Sequence, residues 1–365
     1  MASTSSPSTP ICDIVIPVWN QPERTGRCLE SILRSTPEPI RIVLVDNGSV
    51  LRTQEFLERF KANSLVPVEL IRNAINQGFI KAVNQGIRAG GSSWVCVLNN
   101  DTIVTSGWLT EMLRVAQSDS RIGLVNPSSN SLGLHAGSLP LEDYAALLQK
   151  DSGKSCELTT ALGFCLLARR SLLDQVGLFD EDFGMGYFED DDLSCRVKAA
   201  GLRCVRACAA YVFHEERASF RLLPQRSKAW AHNRQLFEQR WGRRLRILWG
   251  SSNSPSAAFP SQEVLQLLKQ GHWLTLACPP QAVLPEISSH AQVGFLRLNG
   301  STWHLKAALR LILKRKKPFN VVISYDESWS RLLGRLRWFY KAELWNAPSP
   351  KELIERCQAL SRDVT

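Results

Sequence analysis

The chain has 365 residues, 44% hydrophobic and 21% charged, a balance that fits one large folded domain or two ordinary ones and excludes chain-wide disorder and collagen-like repeats. Forty-four Lys and Arg against 34 Asp and Glu leave a net charge of +10, of which residues 251–365, with 15 basic and 8 acidic side chains, carry +7. A basic excess suits nucleic acid, an anionic membrane or an anionic substrate, and by itself does not choose among them.

Residues 1–10, rich in Ser, Thr and Pro, read as a disordered N-terminus without the basic start and apolar run of a secretion signal. No apolar stretch reaches the roughly 18 residues that cross a bilayer. The ten cysteines are scattered, several inside apolar runs (Cys96, Cys165, Cys278). No C-x-x-C pair exists, and the closest spacing, Cys204 to Cys208, lacks a second pair to complete a zinc site. These features predict reduced core thiols and a cytoplasmic protein, with peripheral contact at the cytoplasmic membrane face as an option.

Apolar runs and amphipathic segments then alternate: Cys12–Val18 and Thr25–Arg34, Ile40–Val45 and Gln54–Lys61, Val68–Ile71 and Phe79–Ala89, Trp94–Leu98 and Gly107–Ala116. The pattern predicts an α/β fold with a mixed, mostly parallel sheet flanked by helices. After Gly123–Pro127 comes a looser connection, Ser128–Gly153, then a strand at Leu162–Ala168 and a helix at Ser171–Gly177. A loop rich in Gly, Asp and aromatics, Phe179–Phe188, precedes Glu189-Asp190-Asp191-Asp192. Acidic residues suit a helix start, so a helix is expected from there to about Ala200, with Gly201 as its stop. Arg203–Phe213 reads as a strand ending at His214.

Leu222–Trp241 looks helical, and the alternation restarts beyond it: strand Leu245–Trp249, helix Ser261–Gln270, strands Trp273–Cys278 and Gly294–Leu298, helix Leu305–Leu313, strand Asn320–Ser324. The expected domains are 11–242 and a basic, Rossmann-like accessory unit, 243–365.

Ligands of open α/β sheets gather at the carboxyl ends of the strands, and those ends are unusually polar here. They read Pro17-Val18-Trp19-Asn20, Asp46-Asn47-Gly48-Ser49 and Asn99-Asn100-Asp101-Thr102. Singly, each has a plain structural reading. Asp46 can start a turn with Gly48, the acidic run can be a solvated helix cap, Trp19 can be core, and a histidine after a strand is more often structural than a ligand.

Seven motifs in order over roughly the first 240 residues change that balance: VIPVWN (Val15–Asn20), VDNGS (Val45–Ser49), N-x-G-x-x-x-A-x-N-x-G (Asn76–Gly86), LNNDT (Leu98–Thr102), GLFDE (Gly177–Glu181), FEDDDLSCR (Phe188–Arg196) and His214. Together they resemble the family-2 glycosyltransferases of GT-A fold, most closely the rhamnosyltransferase-like branch. The resemblance implies inverting transfer from a nucleoside diphosphate sugar to a glycan or lipid-linked acceptor in polysaccharide biosynthesis. A divalent metal, Mn2+ or Mg2+, would stabilise the leaving diphosphate through hard oxygen ligands.

By position in the family's motifs, Asp101 and His214 would hold the metal. Asn99 replaces the family's usual first carboxylate, and Asn100 sits between; such amides can bond a ribose or a water but add no charge. Asp190 would be the base taking the acceptor hydroxyl's proton, Glu189 its support, and Asp191 and Asp192 are rival candidates. Trp19 could stack on the base of the donor and Asp46 accept from its imide, with Pro17 shaping the pocket and Asn20 beside it. Asn76, Gly78 and Asn84 would lie near ribose and diphosphate, glycine permitting close approach.

Two other function classes compete. A catalytically idle relative could serve as a binding or scaffold module, which Asn99 encourages. A nucleotidyltransferase would want a Gly-rich phosphate loop near the N-terminus, where Val15–Arg24 offers Pro17, Trp19 and Asn20 instead.

In the accessory unit Lys269–Ala277 is similar to the amino-terminal half-domain of GT-B glycosyltransferases, but no Gly-rich phosphate turn follows the first strand, and no catalysis is expected there. Lys314-Arg315-Lys316-Lys317 and Arg331, Arg335, Arg337 and Lys341, interleaved with Leu332, Leu333, Leu336, Trp338, Phe339 and Tyr340, suit either an interface with anionic lipid or a solvated face over packed apolar residues. No motif supports nucleic acid as a partner.

Overall fold

The computed structural model describes residues 9–215, 226–250, 261–278, 292–298, 303–313 and 318–363. The chain divides into two compact units, Met1–Leu236 and Phe237–Thr365. Each is an α/β sheet structure, as the alternation predicts.

The first unit is built on β1 (Cys12–Val18), β2 (Ile40–Asn47), β3 (Val68–Asn73), β4 (Trp94–Leu98), β5 (Thr102–Val104), β6 (Ile122–Ser128), β7 (Ser155–Leu158), β8 (Cys165–Arg169) and β9 (Arg203–His214). Their order in the sheet is β3-β2-β1-β4-β8-β6-β9-β5, with β7 also paired to β9. β1 and β4 are almost wholly buried on both faces, so their near-continuous apolar runs belong to central strands. They pair in parallel, as do β1 with β2 and β2 with β3. The helices α1 (Pro22–Ser35), α2 (Leu51–Asn63) and α3 (Phe79–Ala89) are the crossovers between these parallel strands. All four strands therefore present their carboxyl ends to one edge.

Beyond β4 the sheet is mixed. β8 runs antiparallel to both β4 and β6, whereas β6 and β9 are parallel. The strand expected from Leu162 begins only at Cys165, because Asn126 holds Leu162 in a turn: its Nδ2 donates to the Leu162 carbonyl (2.8 Å) and its Oδ1 accepts from the Leu162 amide (2.7 Å). The supposedly loose stretch after Ser128 contains α5 (Leu141–Leu148), following α4 (Trp108–Ser118). α6 (Arg170–Val176) and α7 (Glu189–Ala199) precede β9, and α8 (Arg226–Trp241) follows it. All ten cysteines are free thiols and eight are buried, in keeping with their reading as small core hydrophobes.

The amino end of this sheet is fastened by one carboxylate. Asp13 on β1 is fully buried and accepts from Arg41 Nε (2.8 Å), Arg170 (2.8 Å) and the Ser92 amide (2.9 Å) and hydroxyl (2.6 Å). Burial alone would push its carboxyl up, but the Arg41 and Ser92 bonds outweigh it and hold it below the ordinary carboxylate range.

The second unit contains β10 (Arg246–Gly250), β11 (Trp273–Cys278), β12 (Val293–Arg297), β13 (Val321–Ser324) and β14 (Glu343–Asn346), all parallel in the order β12-β11-β10-β13-β14. Its helices are α9 (Ser261–Lys269), α10 (Trp303–Leu313), α11 (Glu327–Arg335) and α12 (Pro350–Arg362). Apolar clusters cover the sheet on both faces, one against α9 and α12, the other against α10 and α11. The sequence pattern stops at β13; α11, β14 and α12 extend the expected half-domain.

At the carboxyl end of β10 a side chain on Gly250 would meet the fully buried Trp329 ring at 1.8 Å, so only glycine fits. Trp249 stacks on Tyr325 at 6.0 Å beside it. The basic run 314–317 lies outside the described residues. Of the later aromatic and basic stretch, Leu333 and Tyr340 are buried, whereas Trp338 and Phe339 are exposed.

Candidate active site

The carboxyl edge of the first sheet brings together residues that lie far apart in the chain. β5 pairs antiparallel with the end of β9, placing Thr102 opposite His214 and so Asp101 beside it. Asp101 Oδ1 lies 3.1 Å from His214 Nε2, and Asn99 Nδ2 lies 3.3 Å from the same nitrogen. Phe164 stacks on the imidazole at 5.1 Å.

The loop after β6 completes this cluster. Asn130 clamps the His214 backbone, donating to its carbonyl (2.7 Å) and accepting from its amide (2.9 Å). Ser131 Oγ is 2.9 Å from His214 Nδ1. If the Ser131 oxygen accepts from Nδ1–H, Nε2 keeps its lone pair and faces the Asp101 carboxylate as a second acceptor. In that tautomer a cation could sit between the two acceptors; in the other, the Ser131 hydroxyl donates to Nδ1 and Nε2–H donates to Asp101 across 3.1 Å. Asn99 Oδ1, buried at the same place, has no hydrogen-bond partner among the described residues.

The second group of candidates sits at the amino end of α7. The loop before it enters through Tyr187 (φ 78°) and Phe188 (φ 70°), left-handed backbone that aromatic residues rarely adopt. Glu189, Asp190, Asp191 and Asp192 follow in the first turn, where the helix dipole favours negative charge. They are not equivalent. Asp192 is buried and paired to Arg196 (2.8 Å), and Arg196 also donates to the carbonyls of Val176, Gly177 and Leu178, tying the GLFDE loop to the helix. Asp191 accepts from Thr160 Oγ1 (2.6 Å). Asp190 Oδ1 accepts from the Asp191 amide (2.8 Å). Glu189 is buried, with Oε2 lacking a partner among the described residues; burial first, then the Asp190 charge, push its carboxyl well above the ordinary range.

A cavity of about 430 Å³ is lined by members of both groups: Asn99, Ser131 and His214 of the first, and Glu189, Asp190 and Asp191 of the second. Phe79, Phe164, Tyr187, Phe188 and Trp230 supply aromatic walls. Asp101 stands behind His214 and does not itself line the cavity.

The remaining expected site residues fall elsewhere. Pro17, Trp19, Asn20 and Asp46 meet at the ends of β1 and β2, where Val18 is in register with Asp46. Asn20 accepts from the Val50 amide (2.9 Å) and donates its own amide to Ser49 Oγ (2.9 Å), lacing the two loops together. Asp46 is fully buried; it accepts from the Ser49 amide (3.0 Å) and Arg72 Nε (3.1 Å), so its carboxylate holds a turn rather than meeting open solvent.

Asn76 Oδ1 accepts from Asn47 Nδ2 (2.9 Å) and the Gly78 amide (2.9 Å). Gly78 (φ 90°) leaves room for the protein's own Met185, whose sulfur would lie 3.0 Å from an added Cβ. Asn84 binds the Phe179 backbone and Glu181 (3.0 Å), and Asn100 Nδ2 donates to Thr25 Oγ1 (2.9 Å). These amides brace the loops around the cavity. Sequence reasoning missed Asn130, Ser131, Phe164 and Trp230, which carry no local signal because long-range strand pairing and helix packing bring them in.

The divalent metal implied by the sequence can be tested against this donor set. One carboxylate, one imidazole and an unpartnered amide oxygen suit Mn2+ or Mg2+, which commonly take one or two protein ligands and complete their shell with phosphate oxygens. Among the described residues no group of three or more His, Cys, Asp or Glu is placed to hold a metal ion by itself.

The first unit also resembles known proteins in sequence and in fold. The model of glycosyl transferase family 2 matches residues 13–177. The N-acetylglucosaminyl-diphospho-decaprenol L-rhamnosyltransferase of Mycobacterium tuberculosis (strain ATCC 25618 / H37Rv) is 28% identical over 242 residues, covering 57% of this chain and 77% of the relative. The poly-beta-1,6-N-acetyl-D-glucosamine synthase of Staphylococcus aureus (strain COL) is 26% identical over 191 residues, 51% of this chain and 45% of the synthase. Among solved structures, GalNAc-T7 with UDP, GalNAc and Mn2+ superposes with a TM-score of 0.50 at 16% identity, covering 64% of this chain and 48% of that one, a likeness of fold alone. Residues 13–177 are a glycosyl transferase family 2 domain, on a sheet of the GT-A kind.

Proposed function

We propose that the protein transfers a sugar, with inversion, from a nucleoside diphosphate sugar to a glycan or lipid-linked acceptor at the cytoplasmic face of a membrane. One observation carries this reading: a single cavity is lined both by carboxylates at a helix start and by the Asn99–His214 group, with Asp101 beside His214. Inversion in one displacement needs both in one site, a base for the attacking hydroxyl and a stabiliser for the departing diphosphate.

Asp190 is the proposed base. It lines the cavity from the first turn of α7. Burial and the neighbouring Asp190 charge push the Glu189 carboxyl well above the ordinary range, and in its protonated form it would donate a hydrogen bond to a hydroxyl of the acceptor. Asp101 and His214, with Asn99 Oδ1 adjacent, would hold Mn2+ or Mg2+, which supplies Lewis-acid stabilisation of the leaving diphosphate. Ser131 and Asn130 fix the His214 ring and backbone, and the loops of Pro17, Trp19, Asn20, Asp46, Asn76, Gly78 and Asn84 would frame the nucleotide, with Trp19 at hand to stack on its base. The aromatic walls suit the apolar faces of sugar rings and limit water at the reacting centre.

The test is a thermal-shift panel of UDP-, dTDP- and GDP-sugars with and without Mn2+, since a ligand at about 100 times its Kd stabilises by about 2.7 kcal/mol. One donor should raise Tm more with Mn2+ than without. A second reading, an idle relative that binds a glycan, draws on Asn99 in place of a carboxylate. A donor that binds but is never hydrolysed or transferred would select it, and no response to any donor would exclude the proposed transfer.

A further inference from the structure

We propose that the second unit docks on an anionic lipid surface through the turn that follows α11 and the adjacent outer face of α10. This goes beyond the catalytic reading and does not depend on it.

Two observations on different elements meet there. Trp338 is 96% exposed and Phe339 65% exposed, side by side in the single helical turn Arg337–Phe339. Large aromatics are seldom left this open unless they have a partner. On α10 the exposed residues Leu305 (48%), Leu309 (55%) and Leu313 (65%) recur every fourth position, while Ala307, Ala308 and Leu311 face the core. Leu309 and Leu313, with Lys306 and Arg310, line a cavity of about 570 Å³ beside Leu296, Leu298 and Phe319, so the exposed side of the helix sets leucines among cations.

Topology puts the two features together. α10 and α11 pack on the same face of the sheet, within one apolar cluster. Each is a crossover between parallel strands, so both run back to the amino edge of the sheet and end there. Leu313 and the 337–339 turn therefore emerge at one edge. The turn is anchored from beneath by Tyr340, whose hydroxyl donates to the Leu333 carbonyl (3.0 Å), so the exposed rings sit on a firm base.

The charge around them selects the partner. Lys306 and Arg310 are exposed on α10, and Arg335, Arg337 and Lys341 flank the aromatic pair. Arg337 donates to the Tyr340 carbonyl (3.2 Å) and lies over its ring, which holds one cation at the rim. Exposed aromatics and leucines ringed by cations match the interface of an anionic bilayer, where rings enter the headgroup region and Lys or Arg meets lipid phosphate. An acidic protein surface would answer the charge but not the apolar stripe, and a second copy of this basic surface would repel itself.

Flotation of the full chain with phosphatidylcholine vesicles, with and without phosphatidylglycerol, tests the assignment. Binding should require phosphatidylglycerol and weaken at high salt. Trp338→Ala with Phe339→Ala should weaken it by at least about tenfold through lost apolar insertion. Arg335→Gln and Lys341→Gln should each cost about fivefold. All four side chains are exposed, so Tm should be unchanged. Leu309→Gln with Leu313→Gln, on a separate element, should weaken binding as well and serves as the check if the turn variant folds poorly. The proposal is overturned if the wild-type chain ignores phosphatidylglycerol vesicles at low salt, if the variants float as well as wild type, or if the surface instead drives self-association without lipid.

Discussion

Two buried carboxylates in the first unit, Asp13 and Glu189, differ in almost everything but burial. Asp13, at the amino edge of the sheet, is enclosed by Arg41, Arg170 and both donors of Ser92, and its charge is favoured. Glu189, at the carboxyl edge, has an oxygen without a partner among the described residues and a like charge next door, and its charge is disfavoured. The first arrangement stabilises the fold. The second leaves hydrogen-bonding capacity open toward a cavity. A sheet whose one end is satisfied and whose other end is not has a stable side and a working side, and strain follows the same division. Four of the five non-glycine residues with positive φ among the described residues, Asn20, Gln21, Tyr187 and Phe188, lie in loops at the working end.

The strongest way to break the comparison is at Asp190. Asp190→Asn should lower sugar transfer by about 10²- to 10⁴-fold with Tm nearly unchanged; transfer at full rate would remove it as the base. The mirror experiment is Asp13→Asn, which should cost about 3 kcal/mol of stability by leaving Arg41 and Arg170 short of a partner, while the activity of the folded fraction stays the same. Because the folded Asp13 carboxyl is held below its unfolded value, its contribution is complete above the ordinary carboxylate range and is lost as pH falls through the folded value. The gap in Tm between wild type and Asp13→Asn should therefore close in acid; a gap that is constant from neutral to strongly acidic pH would contradict the ion-pair account.

A smaller effect is expected at Ser131. Ser131→Ala should weaken Mn2+ binding, measured by calorimetry in the presence of a nucleoside diphosphate, by about tenfold, with Thr partly restoring it, because the ring of His214 loses its fixed orientation. Equal Mn2+ affinity in the Ala variant would reduce Ser131 to packing. Smallest is Glu189→Gln. Its folded carboxyl is held above the unfolded value, so wild-type stability should decline as pH rises past the ordinary carboxylate range, and Gln should remove that decline, a gain of about 1 kcal/mol at neutral pH. A variant no more stable than wild type at neutral pH, measured by chemical denaturation, would mean that Glu189 is ionised and partnered after all.

The two sheets offer a second contrast. In the first, the carboxyl ends of the strands open on an acid-lined cavity. In the second, the corresponding end of β10 is covered by Trp329 against Gly250, with Trp249 and Tyr325 stacked beside it. The same architecture therefore has a polar edge in one unit and an aromatic one in the other.

Much of this was legible in the chain itself. Apolar runs alternating with amphipathic segments identify β1 to β4 and their helices, since burial on both faces demands continuous hydrophobicity and crossover helices demand a 3.6-residue period. Polar residues at strand ends marked the functional edge, and the acidic run marked a helix start. The local code was silent where partners are distant. β5 is three residues long and exists only because β9 pairs with it. The carboxylate of Asp46 and the amides of Asn84 and Asn100 cannot be told from ligand contacts by sequence, because the same side chains that bind a nucleotide also close turns.

Tertiary structure alone decided which of four consecutive acids faces the cavity and which is paired to Arg196, for helical geometry turns neighbouring residues to different sides. It also decided that Asn130 and Ser131, more than eighty residues from His214, hold that histidine in place. Sequence sets the repertoire of elements through periodicity and burial, which act locally. The site is made by strand pairing across the chain, an interaction whose partners no local pattern names.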